Sequence, residues 1–183
     1  MKKLWRWSFL LAVAATVTLT SPSEALLRSG ASKPPARVVD ANGRTLDLGS
    51  VQGRPMLVVY EDKRSATLNQ QLKTELSRLA RGDRYRSAVA LVPVADVRDY
   101  DFWPARGFVK SAIRDESKKI GATIYCDWDG SFSRALSIQH GTSTIILFGK
   151  NGRVLFAQEG KVSEADTRRL LDLLRGEIEG TSS

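Results

Sequence analysis

One cysteine, Cys126, and one histidine, His140, stand in a chain of 183 residues. A lone cysteine closes no internal disulfide, so the fold rests on its core alone. Dithiol redox chemistry is excluded with it, and no His/Cys spacing of a zinc site can be assembled. Beyond the N-terminal stretch no apolar run approaches the ~20 residues that a membrane helix needs. Acids are the minority charge: 28 Lys and Arg face 20 Asp and Glu, for a net charge of +8. The arginines alternate with acids, as in "RLARGDRYR" and "DTRRLLDLLR". That describes a solvated surface, whereas a nucleic-acid face would gather them on one stripe. The balance is compatible with contact at an acidic envelope surface.

At the N-terminus Lys2, Lys3 and Arg6 precede an apolar stretch from Ser8 to Leu19, which gives way to small and polar residues. This is the layout of a secretory signal peptide, with Ser23 and Ala25 marking a cut after Ala25. The apolar stretch is too short for a bilayer anchor, and the chain has no lipobox cysteine. The expected organisation is a signal peptide over 1–25, a flexible lead-in "LLRSGASKPP" over 26–35, one domain over 36–179 and a frayed tail over 180–183.

Within the domain the apolar pattern alternates between strand and helix. Asn42-Gly43, set between Arg37–Asp40 and Thr45–Leu48, predicts a tight β-ribbon. Met56 to Tyr60 reads as a buried strand. From Ser65 onward Leu68, Leu72, Leu76 and Leu79 advance at helical spacing, with Ser65 as the cap and Gly82 as the stop. "SAVALVPVAD" is a continuous apolar run, the pattern of a strand covered on both faces. A helix over Phe108 to Ile120 follows, then a short strand "TIYCD", the "DWDG" turn and a brief helix over "FSRALSI". "GTSTIILF" is the fourth core strand, and Asn151-Gly152 returns the chain as "VLFAQEG". Ser163, with Asp166 three residues on, caps a last helix whose apolar face holds Val162, Leu170, Leu171 and Leu174. The order predicts an α/β fold, a mixed β-sheet flanked by helices with an N-terminal β-ribbon.

"VVDANGRTLDLGSVQGRPMLVVYEDKRSATLNQQL" resembles the start of the thioredoxin-like redoxin group, and "GTSTIILFGKNGRVLFAQEGKVSEADTRRLLDLL" is similar to its closing half. "FVKSAIRDESKKI", "CDWDGSFSRAL" and "KNGRVLFAQEGKVSEADTRRLLDLL" together resemble the exported YtfJ-type proteins. The resemblance implies a thioredoxin-like fold, and it is informative through its departures. The two thiols of a Cys-x-x-Cys motif would fall at Ser65 and Leu68. The position of the cis-proline before the fourth strand falls on Ser143, followed by Thr144. A serine there predicts a trans bond, because a cis bond before a non-proline residue costs ~3 kcal/mol. The function implied is a non-catalytic binding or interaction module of the cell envelope, exported to the periplasm, with an envelope protein or peptide as partner. The alternative is a thiol oxidoreductase or one-cysteine peroxidase that uses Cys126, helped by His140 or Arg64. Neither reading needs a cofactor, a metal or nucleic acid.

Each candidate residue carries two readings. A reactive Cys126 needs a cation or a helix N-terminus to lower its pKa, and its neighbours Asp127 and Asp129 act the other way; a buried small hydrophobe is the plainer reading. His140, before Gly141, is either a base for Cys126 or a loop histidine. Asp127 and Asp129 either flank a calcium ion or stabilise a turn. Glu61, Asp62, Lys63 and Arg64, with the amides of Ser65, Ala66 and Thr67, form either an anion site at a helix start or solvated charge beside a capped helix. Tyr100, Phe102, Trp103 and Phe108 around Pro104 make either an interface or a satellite core under a loop.

Overall fold

The computed structural model describes residues 26–81 and 83–180. The signal peptide over 1–25, Gly82 as a helix stop and the last three residues of the tail lie outside the described residues. Strands β1 (Arg37–Asp40) and β2 (Thr45–Asp47) pair antiparallel across the Asn42-Gly43 turn. Gly43 takes a φ of 86°, and the Asp40 carboxylate accepts from the Asn42 and Arg44 amides at 2.8 and 2.9 Å. The parallel strands β3 (Met56–Glu61), β4 (Ala90–Asp96) and β5 (Tyr125–Asp127) form the centre. Strands β6 (Thr144–Phe148) and β7 (Val154–Glu159) complete it as an antiparallel pair against β3. The order across the sheet is β2-β1-β5-β4-β3-β6-β7, a mixed sheet of the kind expected.

Five α-helices are found among the described residues: α1 (Gln70–Leu79), α2 (Asp83–Ala88), α3 (Ala105–Ile120), α4 (Ser131–Ala135) and α5 (Glu164–Glu179). The period-2 alternation of the strands divides their side chains between two layers. Val58, Tyr60, Val92, Val94, Ile146 and Phe148 face Phe132 and Leu136 around α4. Leu57, Val59, Ile145 and Leu147 face Leu72 of α1 with Leu170 and Leu174 of α5. On that second face Cys126, Val97 and Trp128 lie beneath Val109 and Ile113 of α3. Helix α5 starts as expected, the Ser163 hydroxyl accepting from the Asp166 amide at 3.0 Å.

Three local expectations need correction. The lead-in is not free: Ser32 bridges Arg153 antiparallel, Lys33 N–H donates to Gly152 C=O at 2.7 Å, and Leu26 and Leu27 pack on the core. Small and polar composition says nothing of a vacant sheet edge, and β7 supplied one. Strand β4 is covered fully on one face only, with Leu91 exposed, because α3 lies over its C-terminal end at Ala95. Its Pro93 precedes the first residue paired with β5, Val94, so the missing N–H breaks no bond there. Finally, the segment after β3 does not enter a helix at Ser65; α1 begins at Gln70.

Gly130, with φ at 72°, leads into α4. A Cβ there would stand 2.8 Å from Arg98 Cδ and 2.9 Å from its Nη1, and Arg98 is itself held by Asp96 at 2.6 Å. Gly130→Ala should therefore cost about 2 kcal/mol, from left-handed backbone and a displaced guanidinium together. A lowered urea midpoint at unchanged slope checks it.

Candidate functional site

The C-terminal ends of β3, β4 and β5 lie side by side, and their polar residues fall into two networks. The first begins at Asp62, whose Oδ1 accepts from the Arg64 amide at 3.1 Å, the Ser65 amide at 2.7 Å and the Ser65 hydroxyl at 2.6 Å. This aspartate turn competes with the helix for the backbone. It is followed by turns closed by Leu68 N–H to Ser65 C=O, at 2.9 Å, and Gln70 N–H to Thr67 C=O, at 3.4 Å. Ser65 is thus a turn residue and not a helix cap, and its amide is already satisfied. Leu68 lies outside α1 and is exposed. Of the amides read as an anion site at a helix start, that of Ser65 is taken by the Asp62 carboxylate, and Ala66 and Thr67 precede the helix, which starts at Gln70.

Behind the turn, Lys73 of α1 reaches Glu61 Oε2 at 2.8 Å and also the Ala66 carbonyl. Burial raises the Glu61 carboxyl above its ordinary value, and the Lys73 ammonium and Ser143 hydroxyl oppose that rise. Ser143 is fully buried. Its hydroxyl donates to Glu61 Oε1 at 3.3 Å and accepts from Asn69 Nδ2 at 2.9 Å. Asn69 also donates to Gly160 C=O at 2.9 Å and accepts from Val162 N–H at 2.8 Å. One amide side chain therefore ties the start of α1 to both ends of the β6–β7 hairpin. The cis peptide bond among the described residues is at Trp103–Pro104, not at Ser143. Thr144 begins β6 fully buried, with no hydrogen-bond partner for its hydroxyl.

The second network surrounds two adjacent carboxylates, Asp96 and Asp127, paired in register across β4 and β5 and both buried. Asp96 Oδ1 accepts from Arg98 Nε at 2.9 Å and Oδ2 from Nη2 at 2.6 Å. Oδ2 also lies 2.8 Å from Nδ1 of His140, whose Nε2 stands 3.6 Å from Asp99. Despite its burial, Asp96 is held at about 2 by the Arg98 and His140 hydrogen bonds. Asp127 accepts from Tyr60 Oη at 3.1 Å and from the Phe132 and Ser133 amides at 3.3 and 3.0 Å. It thereby satisfies the start of α4, while Asp129 accepts from the Ser131 amide at 2.9 Å. The turn reading of "DWDG" holds. Among the described residues no three His, Cys, Asp or Glu side chains gather as a metal site.

Cys126 stands apart from both networks. Strand alternation turns it to the face opposite Asp127, and with it away from Asp96 and its partner His140. The proposed Cys126–His140 pair is therefore not formed. The thiol is 2% exposed and pushed up to about 11, first by burial and then by Asp40; the cations that oppose this are Lys110 and Arg106. Arg64 is exposed at the end of β3 and is not among them. The aromatic group divides: Tyr100 packs on the small core with Val97 and Trp128, while Phe102, Trp103 and Phe108 are exposed. Asp96, Arg98, Asn69 and Lys73 escaped the sequence reading. A signal existed for the first, since "ALVPVAD" and "TIYCD" both end an apolar run on an aspartate.

A family model described as "Bacterial protein of unknown function (YtfJ_HI0045)" matches residues 62–177. No curated protein matches the sequence. Among solved structures, a Chlorobium tepidum protein described as a thiol:disulfide interchange protein of the DsbE type aligns with a TM-score of 0.62 at 17% identity, over 83% of this chain and 99% of its own. A thiol-disulfide oxidoreductase from Bacteroides fragilis aligns at 0.57 and 20% identity, over 78% and 99%. The exposed lipoprotein thioredoxin of Streptococcus pneumoniae aligns at 0.56 and 11% identity, over 77% and 98%. At these identities the likeness establishes the fold, which is thioredoxin-like.

Asp96→Asn would leave the half-buried Arg98 without its partner, and should lower stability at neutral pH by about 3 kcal/mol. Because the folded carboxyl sits below its unfolded value, the native chain keeps this contribution above about pH 4 and loses on the order of 2 kcal/mol as pH falls toward 2. Urea midpoints of the two proteins should accordingly converge on acidification.

Proposed function

We propose that this chain, which belongs to the YtfJ_HI0045 family of bacterial proteins, is an exported, non-catalytic binding module of the cell envelope, with an envelope protein or peptide as its partner. The observation that carries this reading is the content of the fold's redox position. Ser65 and Leu68 supply no thiol there, and Ser143 is locked between Asn69 and Glu61. No thiol lies at that turn among the described residues, since Cys126 sits two strands away on β5 and is buried under α3. A thiol held at about 11 is protonated at neutral pH and is a poor nucleophile, which counts against the one-cysteine peroxidase.

Export is supported by the basic, apolar and small-residue succession at the N-terminus. The pneumococcal neighbour is an exposed lipoprotein, which is consistent with such a setting for this fold. Among the described residues no helix is long and apolar enough to cross a membrane. A module of this kind would be cut after Ala25 and released into the periplasm.

The purified exported protein should turn over neither peroxide nor a model disulfide, and a thiol reagent should label Cys126 only once denaturant opens the fold. Cys126→Ser should leave capture of envelope components unchanged. Robust turnover that disappears in Cys126→Ser would overthrow this reading, and fractionation that keeps the chain in the cytoplasm would remove its export.

A further inference from the structure

Strand β7 is an edge of the sheet, and only part of that edge is covered. On an antiparallel edge strand every second residue turns its N–H and C=O away from the neighbouring strand. The bond from Gly160 N–H to Ser143 C=O, at 2.8 Å, fixes that parity: Gly160 and Gln158 bond toward β6, while Ala157 and Glu159 face outward. Earlier in the strand, past the irregularity at Leu147 and Phe148, Val154 faces outward too, and there the edge is occupied. Val154 N–H donates to Ala31 C=O and its C=O accepts from Gly30 N–H, both at 2.8 Å. Upstream of that contact a turn closed by Ala31 N–H to Arg28 C=O at 3.0 Å, with Gly30 at a φ of 84°, lifts the lead-in off β7. Ala157 is left with no partner for its amide or carbonyl among the described residues, and the Glu159 carbonyl has only the Gln158 side chain, at 3.4 Å.

The open stretch of edge borders a cleft of about 300 Å³, with Leu26 and Leu27 of the lead-in on one flank and Asp166 and Arg169 of α5 on the other. We infer that this cleft takes an extended acidic peptide, added as a strand to β7 at Ala157 and Glu159. Two observations select that occupant. The first is backbone chemistry. An open edge offers a donor and an acceptor at every second residue, a pattern that another extended backbone matches and that a lipid chain or a small anion does not. The chain shows the mode itself, since its own lead-in is already added to the same edge at Val154. The second is charge. Arg28 and Arg169 are exposed on the rim of the cleft and form no ion pair among the described residues, where the α5 arginine that reaches Glu164 is Arg168. Asp166, the acid of the rim, is engaged by the Ser163 hydroxyl at 2.6 Å. An acidic side chain on the incoming strand would neutralise the two arginines, whereas a second copy of this chain would bring the same cationic rim against itself.

This inference deepens the binding-module reading and rests on it for its setting, but the strand addition is tested alone. The probes are a short, end-blocked fluorescent peptide of alternating Val and Glu and its counterpart with Lys in place of Glu. Fluorescence anisotropy should show the acidic peptide binding the exported protein at least roughly tenfold more tightly than the basic one, and less tightly at raised salt. In the native protein the Ala157 and Glu159 amides should exchange with solvent quickly when free and slowly when the acidic peptide saturates it, while Gln158, bonded toward β6, is slow in both states. Ala157→Pro removes an amide that β6 does not use, and should weaken the acidic peptide by at least roughly tenfold with an unchanged circular dichroism spectrum. Arg28→Glu with Arg169→Glu should reverse the preference toward the basic peptide. No binding of the acidic peptide at millimolar concentration, or binding that leaves exchange at Ala157 and Glu159 unchanged, overturns the inference. So does a dimer in analytical ultracentrifugation that Ala157→Pro dissolves, which would make a second copy the occupant. Thiol turnover through Cys126 would defeat the binding-module reading while leaving the strand addition to stand or fall on the exchange result.

Discussion

Two carboxylates placed next to each other inside the fold set the terms for everything around them. Asp96 and Asp127 occupy neighbouring register positions at the ends of parallel strands, and both are buried. Two buried like charges at that separation are tolerable only if each is separately neutralised or hydrogen-bonded. Each is met differently. Asp96 receives a two-point grip from Arg98 and a third contact from His140, while Asp127 receives a phenol and two helix amides. Arg98 Nη2 lies 3.5 Å from Tyr60 Oη and so links the two halves. Because Arg98 must turn back over the strand ends, the backbone at Gly130 must approach it without a Cβ. Helix α4 then starts where Asp127 can cap it, and the loop bearing His140 is drawn down to Asp96. Fold geometry here follows from charge burial as much as from apolar packing.

The neighbouring turn after β3 shows how completely the fold's usual redox address has been rebuilt. A reactive thiol there would depend on a helix N-terminus that lowers its pKa. In this chain α1 begins five residues beyond Ser65, and the nearest anion is the Asp62 carboxylate, which accepts from Ser65 itself. Cysteines at 65 and 68 would therefore face an acid in place of a helix dipole. The loss of dithiol chemistry is thus written into the backbone as well as into side-chain identity. What fills the space is cross-linking: Asn69 joins α1 to the β6–β7 hairpin, and Lys73 neutralises Glu61 beside Ser143.

The apolar pattern made most of the architecture legible, since strands β3 and β6 are short continuous runs and α5 carries both a cap and a stripe. The Asn-Gly turns fixed the two hairpins, β1–β2 and β6–β7, by local chemistry alone. What stayed hidden depended on competition or on distance. Leucine spacing after Ser65 continues smoothly through a segment whose backbone follows Asp62 instead, because periodicity reports where apolar groups sit and not which carboxylate holds the amides. The lead-in looked free because its partner edge, Gly152 to Val154, is more than a hundred residues away. His140 reads as a loop histidine for the same reason, as its partner Asp96 lies 44 residues earlier and is named only by the fold. Cys126 and His140 lie at strand ends, which can meet in space, but strand alternation turns Cys126 away from Asp96 and its partner His140.

The polar side chains at the strand ends are largely committed to one another. Asp96 is met by Arg98 and His140, and Asp127 by Tyr60 and two α4 amides. Apolar surface is free elsewhere, on a corner that α3 and Trp128 hold rigid from below. Trp128 contributes through its ring face, under Arg106, while its indole N–H is buried without a partner. The same helix that covers Cys126 presents Phe108 to solvent on its outer side. Burying the sulfur and exposing Phe108 are two faces of one element, set by its 3.6-residue period.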